Sequence, residues 1–422
     1  MAISGFRAVL APIVGLLILV PATSGKADDA ALGSVRLRGG IDANPTLLPG
    51  GRPSAFAGLD GAFAVGREDG DGKIGLVGEI ERTEYAAPHL DPSERYRLTL
   101  KSERTLFGDW SLRSSGGIEA VRNTTLRTSD AALRARAQWM GGSLRPFLAA
   151  ELHYSTLNET NAILVDFLPD DQRYGRAVLI PGATMTLGDA EFGASINLSA
   201  TRYADRLDLF GFRRDNERIE PFLFYRYAGK GLSFSASVSQ LRGTWHDPDF
   251  SSVRETLYDV TFSNTQGAWT LDLGAKRFAG ETTFPISPLT VSSSQFAKLT
   301  WTPDWIPDRR WTLSALARTL HTAYLDSPFA ADTLVYGVTA SYAMREDWLI
   351  GAEVLRVNAT ALNGEPVDGG LVSLSLTKRF ANGSEQKAAT APQTQWAANA
   401  PPIARTGPVT GASLLRVPYQ PP

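Results

Sequence analysis

Cysteine is absent from the 422-residue chain, and histidine and methionine occur only four times each. Disulfides, thiolate nucleophiles and Cys-rich zinc sites are therefore excluded. His89, His153, His246 and His321 are too scattered to suggest a metal centre, and no cofactor is expected. The formal net charge is -2, so no basic excess draws nucleic acid. Beyond the N-terminus no apolar run approaches the ~18 residues of a membrane helix. That last absence does not exclude a membrane β-barrel, in which only every second residue faces lipid.

The N-terminus is different. Arg7 precedes an apolar segment at residues 8–22, interrupted by Pro12 and Pro21, and Gly25-Lys26-Ala27 offers small residues at the two positions a signal peptidase inspects. Residues 1–27 are expected to be a cleaved signal peptide that carries the chain out of the cytoplasm. An anchor helix is the alternative, disfavoured by the short core, its prolines and the following Asp28-Asp29.

From Ser34 to Phe380 the chain alternates apolar and polar residues in runs of about ten. In residues 232–240, LSFSASVSQ, Leu232, Phe234, Ala236 and Val238 share one face and four serines the other. Period-two alternation sets one face against apolar surroundings and the other against water. Residues 191–201 repeat it, and 34–44 and 95–106 do so with charges on the polar face. The count is about eighteen strands, with sixteen as the alternative. The expected fold is all-β, a transmembrane antiparallel up-and-down barrel over 28–380.

Connectors read as strictly alternating between short and long. Short ones include Phe107-Gly108-Asp109, Gly141-Gly142-Ser143, Gly188-Asp189, Gly229-Lys230-Gly231, Gln266-Gly267 and Arg345-Glu346-Asp347, all with hairpin-turn chemistry. Long ones span 158–172, 204–216 and 280–289. Short turns belong to the periplasmic side and long loops outside, which puts both termini in the periplasm. Trp110, Trp269, Trp311 and Trp348 open strands that leave tight turns, and Trp139 and Trp301 close strands that enter them. These six are expected to form the periplasmic interface girdle. Tyr85, Tyr154, Tyr203 and Trp245 suggest an outer one.

With apolar faces toward lipid, the other faces line a lumen. That lining takes Arg36 and Arg38 on the first strand, then Glu79 and Glu81, then Arg97, Lys101 and Glu103. Arg113, Arg134, Arg136, Glu151 and Arg226 follow, and finally Asp259, Asp272, Lys276 and Glu353. Unpaired charges in a dry interior cost several kcal/mol each, so water is expected in at least part of it. Cross-strand salt bridges that stiffen the wall are the plainer role for the same residues. The oddly apolar connector 158–172, NETNAILVDFLPDDQ, is the expected constriction, folding inward to present Asp166, Asp170 and Asp171; an extension above the membrane or contact with lipopolysaccharide is the alternative.

Enzymatic signals are weak. His153 follows Glu151 and precedes Ser155 on one strand face, yet i, i+2 neighbours lie ~6.6–7 Å apart along a strand, so another strand must help. No G-x-S-x-G elbow accompanies them. The run EDGDG at 68–72 resembles a calcium loop but has Lys73 at the fifth ligand position and no distal glutamate, so a hairpin turn is expected.

The final strand, 370–380 (GLVSLSLTKRF), resembles the C-terminal signal read by the barrel-assembly machinery, ending on Phe380, with Lys378 where an apolar residue is usual. Residues 381–422, rich in Ala, Pro, Gln and Thr, are expected to be a disordered periplasmic tail. The opening segment 35–51, VRLRGGIDANPTLLPGG, has an arginine-bearing strand, an acidic-then-Asn exit and a Gly-rich loop. With the barrel that follows, it resembles the β-barrel porin 2 family of Gram-negative outer-membrane proteins. The resemblance implies a non-enzymatic, porin-like channel for hydrophilic solutes, set in outer-membrane lipid and lipopolysaccharide. Some relatives appear beside exopolysaccharide export systems, so an export conduit meeting a periplasmic partner through the tail is the alternative. An outer-membrane hydrolase ranks third.

Overall fold

The computed structural model describes residues 29–382 apart from 47–49, 70–71, 124–125, 160–170, 209, 284–286, 304–310 and 362–363. The expected signal peptide, nearly all of the tail, most of the 158–172 connector and the heart of the calcium-like turn lie outside the described residues.

Eighteen antiparallel strands run in chain order from β1 (Asp29–Asp42) to β18 (Pro366–Asn382); among them are β4 (Ser93–Thr105), β5 (Trp110–Arg122), β6 (Leu126–Trp139), β9 (Ala190–Tyr203), β11 (Leu232–Trp245), β13 (Trp269–Gly280), β14 (Thr290–Trp301), β15 (Trp311–Tyr324), β16 (Ala330–Arg345) and β17 (Trp348–Thr360). Each pairs with its sequence neighbours, and β1 closes the sheet on β18, with Ser34 opposite Arg379 and Arg38 opposite Ser375. Closure leaves no unpaired sheet edge, which is what lets a β-structure stand in a bilayer without naked backbone polar groups.

Because side chains alternate with period two, one in-register residue fixes the face of every other. Leu37, Ile118, Leu152, Ile219, Val354 and Leu374 are each at least 47 % exposed and all lie on the outer face. The register then places Arg36 opposite Asp60, Asp60 opposite Glu81, Glu79 opposite Arg97, Glu103 opposite Arg113 and Arg134 opposite Glu151 on the inner face. A soluble protein would not leave so large an apolar belt open. Where an inner-face aromatic ring faces a glycine across the ladder, it lies flat over it: Phe147 over Gly182, Phe224 over Gly193, Phe296 over Gly274.

Connector lengths depart from strict alternation at two places. The β5–β6 connector is only residues 123–125 on the long-loop side, and β14–β15 takes 302–310 on the short-turn side. Elsewhere the tight turns use left-handed glycines, Gly108 at φ 61°, Gly188 at 58° and Gly267 at 57°, which a side chain would strain.

All six tryptophans sit on the outer face beside the tight-turn end. Trp269 and Trp301 stack at 5.6 Å between ring centroids, and Trp311 meets Tyr342 at 4.9 Å. Phe380 is also outward and 44 % exposed. Lys378, the departure from the assembly signal, lies outward too: its ammonium sits over the Trp348 ring at 4.9 Å and pairs with Asp347 of the β16–β17 turn. Opposite them the outer girdle needs correction. Only Tyr154 faces outward (53 % exposed); Tyr85, Tyr203 and Trp245 fall on the inner face by register. Their parity is one residue off the lipid-facing set, and one residue is a change of face.

Candidate functional site: the lumen wall and the loop latched inside it

The inner wall is a ladder of ion pairs. Arg36 and Arg38 both reach Asp60, at 2.6 and 2.7 Å. Arg95 binds Glu119 at 2.8 Å and approaches Glu81 at 3.9 Å; Arg97 lies between Glu79 at 3.8 Å and Glu119 at 3.9 Å. Further round come Arg113–Glu103 (2.8 Å), Arg134–Glu151 (3.5 Å), Arg226–Glu191 (3.6 Å) and Lys276–Asp259 (3.3 Å). Asp272 accepts from Ser263 at 2.6 Å and Glu353 from Ser373 at 3.5 Å. The expected lining residues thus share one face. Sequence alone did not single out Arg95, Asp60 and Glu119; Arg95 and Glu119 sit in phase with Arg97 and Arg113 on their own strands, whereas Asp60 is brought in only by its register with Arg36.

The ladder is not evenly charged. Arg113 and Arg136 stand directly opposite each other, a like-charge pair, and Arg134 faces Ser115 one step along. Arg136 lies over the Phe147 ring at 3.8 Å, a cation–π contact. Lys101 pairs with Gly75 and Ser115 and has no acid within salt-bridge reach among the described residues. Strands β4–β6 therefore form a basic arc of the wall.

His153 turns toward Glu151, its Nε2 3.0 Å from Oε2. The expectation that i, i+2 side chains need another strand to meet is corrected here: the backbone spacing holds, but the two long side chains lean together above it. Ser155, 3 % exposed, stands between Asp130 and Tyr174 in the ladder. With the imidazole on Glu151, no serine–histidine hydrogen bond is assembled among the described residues.

On the long-loop side the described ends of the β13–β14 connector fold into the barrel. Glu281, Thr282, Ser287 and Leu289 are at most 1 % exposed. Glu281 crosses the interior to form a buried ion pair with Arg218 of β10 (Asn216–Gly229), and accepts a 3.1 Å hydrogen bond from the Tyr203 hydroxyl of β9 (Ala190–Tyr203). Arg214, itself 3 % exposed, donates to the carbonyls of Thr282 and Ser287, each at 3.1 Å, and binds Asp208 at 2.7 Å. Leu289 then packs with Leu241, Trp245, Phe250, Val253 and Ala279, and Phe212 stacks on Phe250 at 5.2 Å. The connectors after β9, β11 and β13 are thus locked into one inward plug on that side of the barrel. The constriction seen is this one; the 158–172 connector expected from sequence lies largely outside the described residues.

No protein-family model and no curated protein matches the chain. Among solved structures it is similar to the outer-membrane protein OpdK from Pseudomonas aeruginosa, at 10 % identity and a TM-score of 0.45 over 85 % of this chain and 100 % of that one. The copper transporter OprC matches at 10 % identity and TM-score 0.47, over 84 % of this chain and 81 % of that one. OpdQ of Pseudomonas aeruginosa matches at 10 % and 0.42, over 84 % and 98 %. Similarities at that level do not decide what crosses this barrel. The closed sheet, the apolar outer belt and the ionised inner wall define the class on their own: a transmembrane β-barrel of the outer-membrane type.

Proposed function

We propose that the chain is an outer-membrane channel passing small hydrophilic solutes through a charged, water-filled lumen. The observation that carries this is the state of the inner wall. Its ion pairs are partly open to the interior, with Glu79 at 37 % and Arg113 at 38 % side-chain exposure. A barrel of eighteen strands is wide enough for an aqueous path. The inward plug narrows one side of that path, and the basic arc on β4–β6 favours anions.

The same reading sets the tight turns and both termini in the periplasm of a Gram-negative cell, with Phe380 presented for assembly, in keeping with the resemblance to the β-barrel porin 2 family. An export conduit for polysaccharide would need the latched plug to leave, and for that reason the small-solute channel is preferred. Planar-bilayer recording tests it: stable single-channel steps with a reversal potential displaced toward anions are expected. Folded, heat-modifiable protein that gives no conductance would overturn it.

A further inference from the structure

On the outer face, Arg242 of β11 (Leu232–Trp245) and Arg254 of β12 (Val253–Gln266) stand directly opposite each other. Both are exposed, and neither has a protein partner among the described residues. Like charges in register repel. Several other outer-face arginines near the same rim carry acids: Arg82 has Glu84 and Glu94, Arg202 has Glu217, and Arg356 has Asp368. Arg122 and Arg127 also stand opposite each other, but Asp91 lies 3.9 Å from Arg127, and both lie away from the apolar groove that runs below Arg242. Glu217, the acid nearest in sheet order, is held by Arg202 at 2.7 Å. The Arg242–Arg254 pair is left as an uncompensated dication at the long-loop rim.

Below it runs an apolar groove of about 860 Å³ on the outer surface. Its floor follows one row of the sheet: Ala150 opposite Leu179, Leu179 opposite Leu198, Leu198 opposite Ile219, and Ile219 opposite Arg242. Ala177 and Ala200 make the dent between the larger side chains. Because strands in a barrel are tilted, this row is not level. Counted from the tight-turn ends, Ala150 stands six residues up β7 (Leu144–Glu159), Ile219 ten up β10 and Arg254 twelve up β12. The groove therefore descends from the dication at the rim into the middle of the apolar belt.

We infer that this groove holds one acyl chain of a phosphorylated glycolipid of the outer leaflet, with the lipid phosphate bound between Arg242 and Arg254. The inference rests on the outer-membrane placement proposed above and adds a specific lipid site to it. Charge complementarity selects the occupant. Two guanidiniums at the headgroup level match a phosphate by charge-assisted hydrogen bonds; the polar lining of the groove, Glu217, Thr244 and Ser252, lies at its rim end, and the row from Ile219 down to Ala150 takes hydrocarbon. A phosphate also removes the repulsion that the bare pair carries.

The test uses the full barrel folded in uncharged detergent, with diphosphoryl lipid A as probe and native mass spectrometry as readout. Arg242→Ala/Arg254→Ala is expected to lower the bound fraction roughly ten-fold or more, since two charge-assisted bonds are lost. Ala177→Phe, which fills the groove and leaves both arginines, is expected to weaken binding as well. Arg122→Ala, an exposed rim arginine outside the groove, is expected to bind as wild type. Unchanged binding by the double variant overturns the inference, as does equal binding of phosphatidylglycerol, which would make the site general for anionic lipid. Failure here with intact channel conductance removes the lipid site and leaves the channel; loss of conductance in wild type removes the channel alone.

Discussion

Cutting Glu281 back to alanine should unlatch the plug. The substitution leaves Arg218, whose side chain is 2 % exposed, without its anion, and takes the acceptor from the Tyr203 hydroxyl. Removing one partner of a buried ion pair costs about 3–5 kcal/mol. Among the ties that remain are the packing of Leu289 in its apolar cluster and the two Arg214 bonds to the carbonyls of Thr282 and Ser287, the latter worth about 1.5–3 kcal/mol each for a charged donor. If about 3 kcal/mol falls on the loop, the open population rises roughly 150-fold. Single-channel recording should then show larger or flickering steps where wild type is steady. The absence of native cysteine supplies a second readout: Thr282→Cys, a sole thiol at a position with 0 % exposure, should resist a soluble maleimide in the wild-type background and react quickly beside Glu281→Ala. A double change, Arg218→Met with Glu281→Leu, removes both charges and should restore steady steps. Conductance and labelling that stay at wild-type values in Glu281→Ala would refute the latch, because the buried pair would then be ornamental to the loop.

Three further outcomes follow from the wall itself. Reversing the basic arc with Arg113→Glu/Arg136→Glu should move the reversal potential toward cations in a salt gradient, and more so at low ionic strength, where screening is weaker. Gly337→Ala should destabilise the barrel by about 1–3 kcal/mol in denaturant titrations, because a Cβ there meets the Val354 carbonyl at 2.1 Å; Gly75→Ala, with its nearest atom at 3.5 Å, should cost less. The Lys378 hydrogen bond holds the Asp347 carboxyl below its ordinary range. A depressed carboxylate contributes stability above its unfolded pKa and loses it as pH falls through the folded value. The wild-type advantage over Asp347→Asn should therefore be present at neutral pH and vanish in acid, read as the denaturation midpoint in vesicles.

The wall was legible because a strand is its own ruler. Leu37 between Arg36 and Arg38, or Leu98 between Arg97 and Thr99, fixes two faces without knowledge of any partner, and the sense of each face follows from which residues lipid tolerates. The inner ladder's pairings are then a matter of register, which closes around the ring. Where the alternation failed, the inner wall had stopped being wet. Leu241 and Trp245 continue the face of Ser233, Ser235, Ser237 and Ser239, yet they are apolar because Phe250 and Leu289 cover them. Nothing local to β11 announces that cover. An aromatic at a strand end reads equally well as an interface anchor or as packing beneath a plug.

The sequence by itself determined a closed, lipid-facing wall with a charged inside, since period-two patterning and turn chemistry act over a few residues. It did not determine which loop enters the lumen. Glu281 meets Arg218 across 63 positions of chain, and Arg214 meets Ser287 across 73; such contacts exist only once the barrel has closed and brought β9, β10 and β13 around one interior. The apolar run at 163–168 was the louder local signal, while the segment seen inside is held by the buried polar bonds of Glu281 and Arg214 and by the packing of Leu289. The paired arginines on β11 and β12 follow the same rule: two ordinary surface charges in sequence, and one uncompensated dication after the strands align.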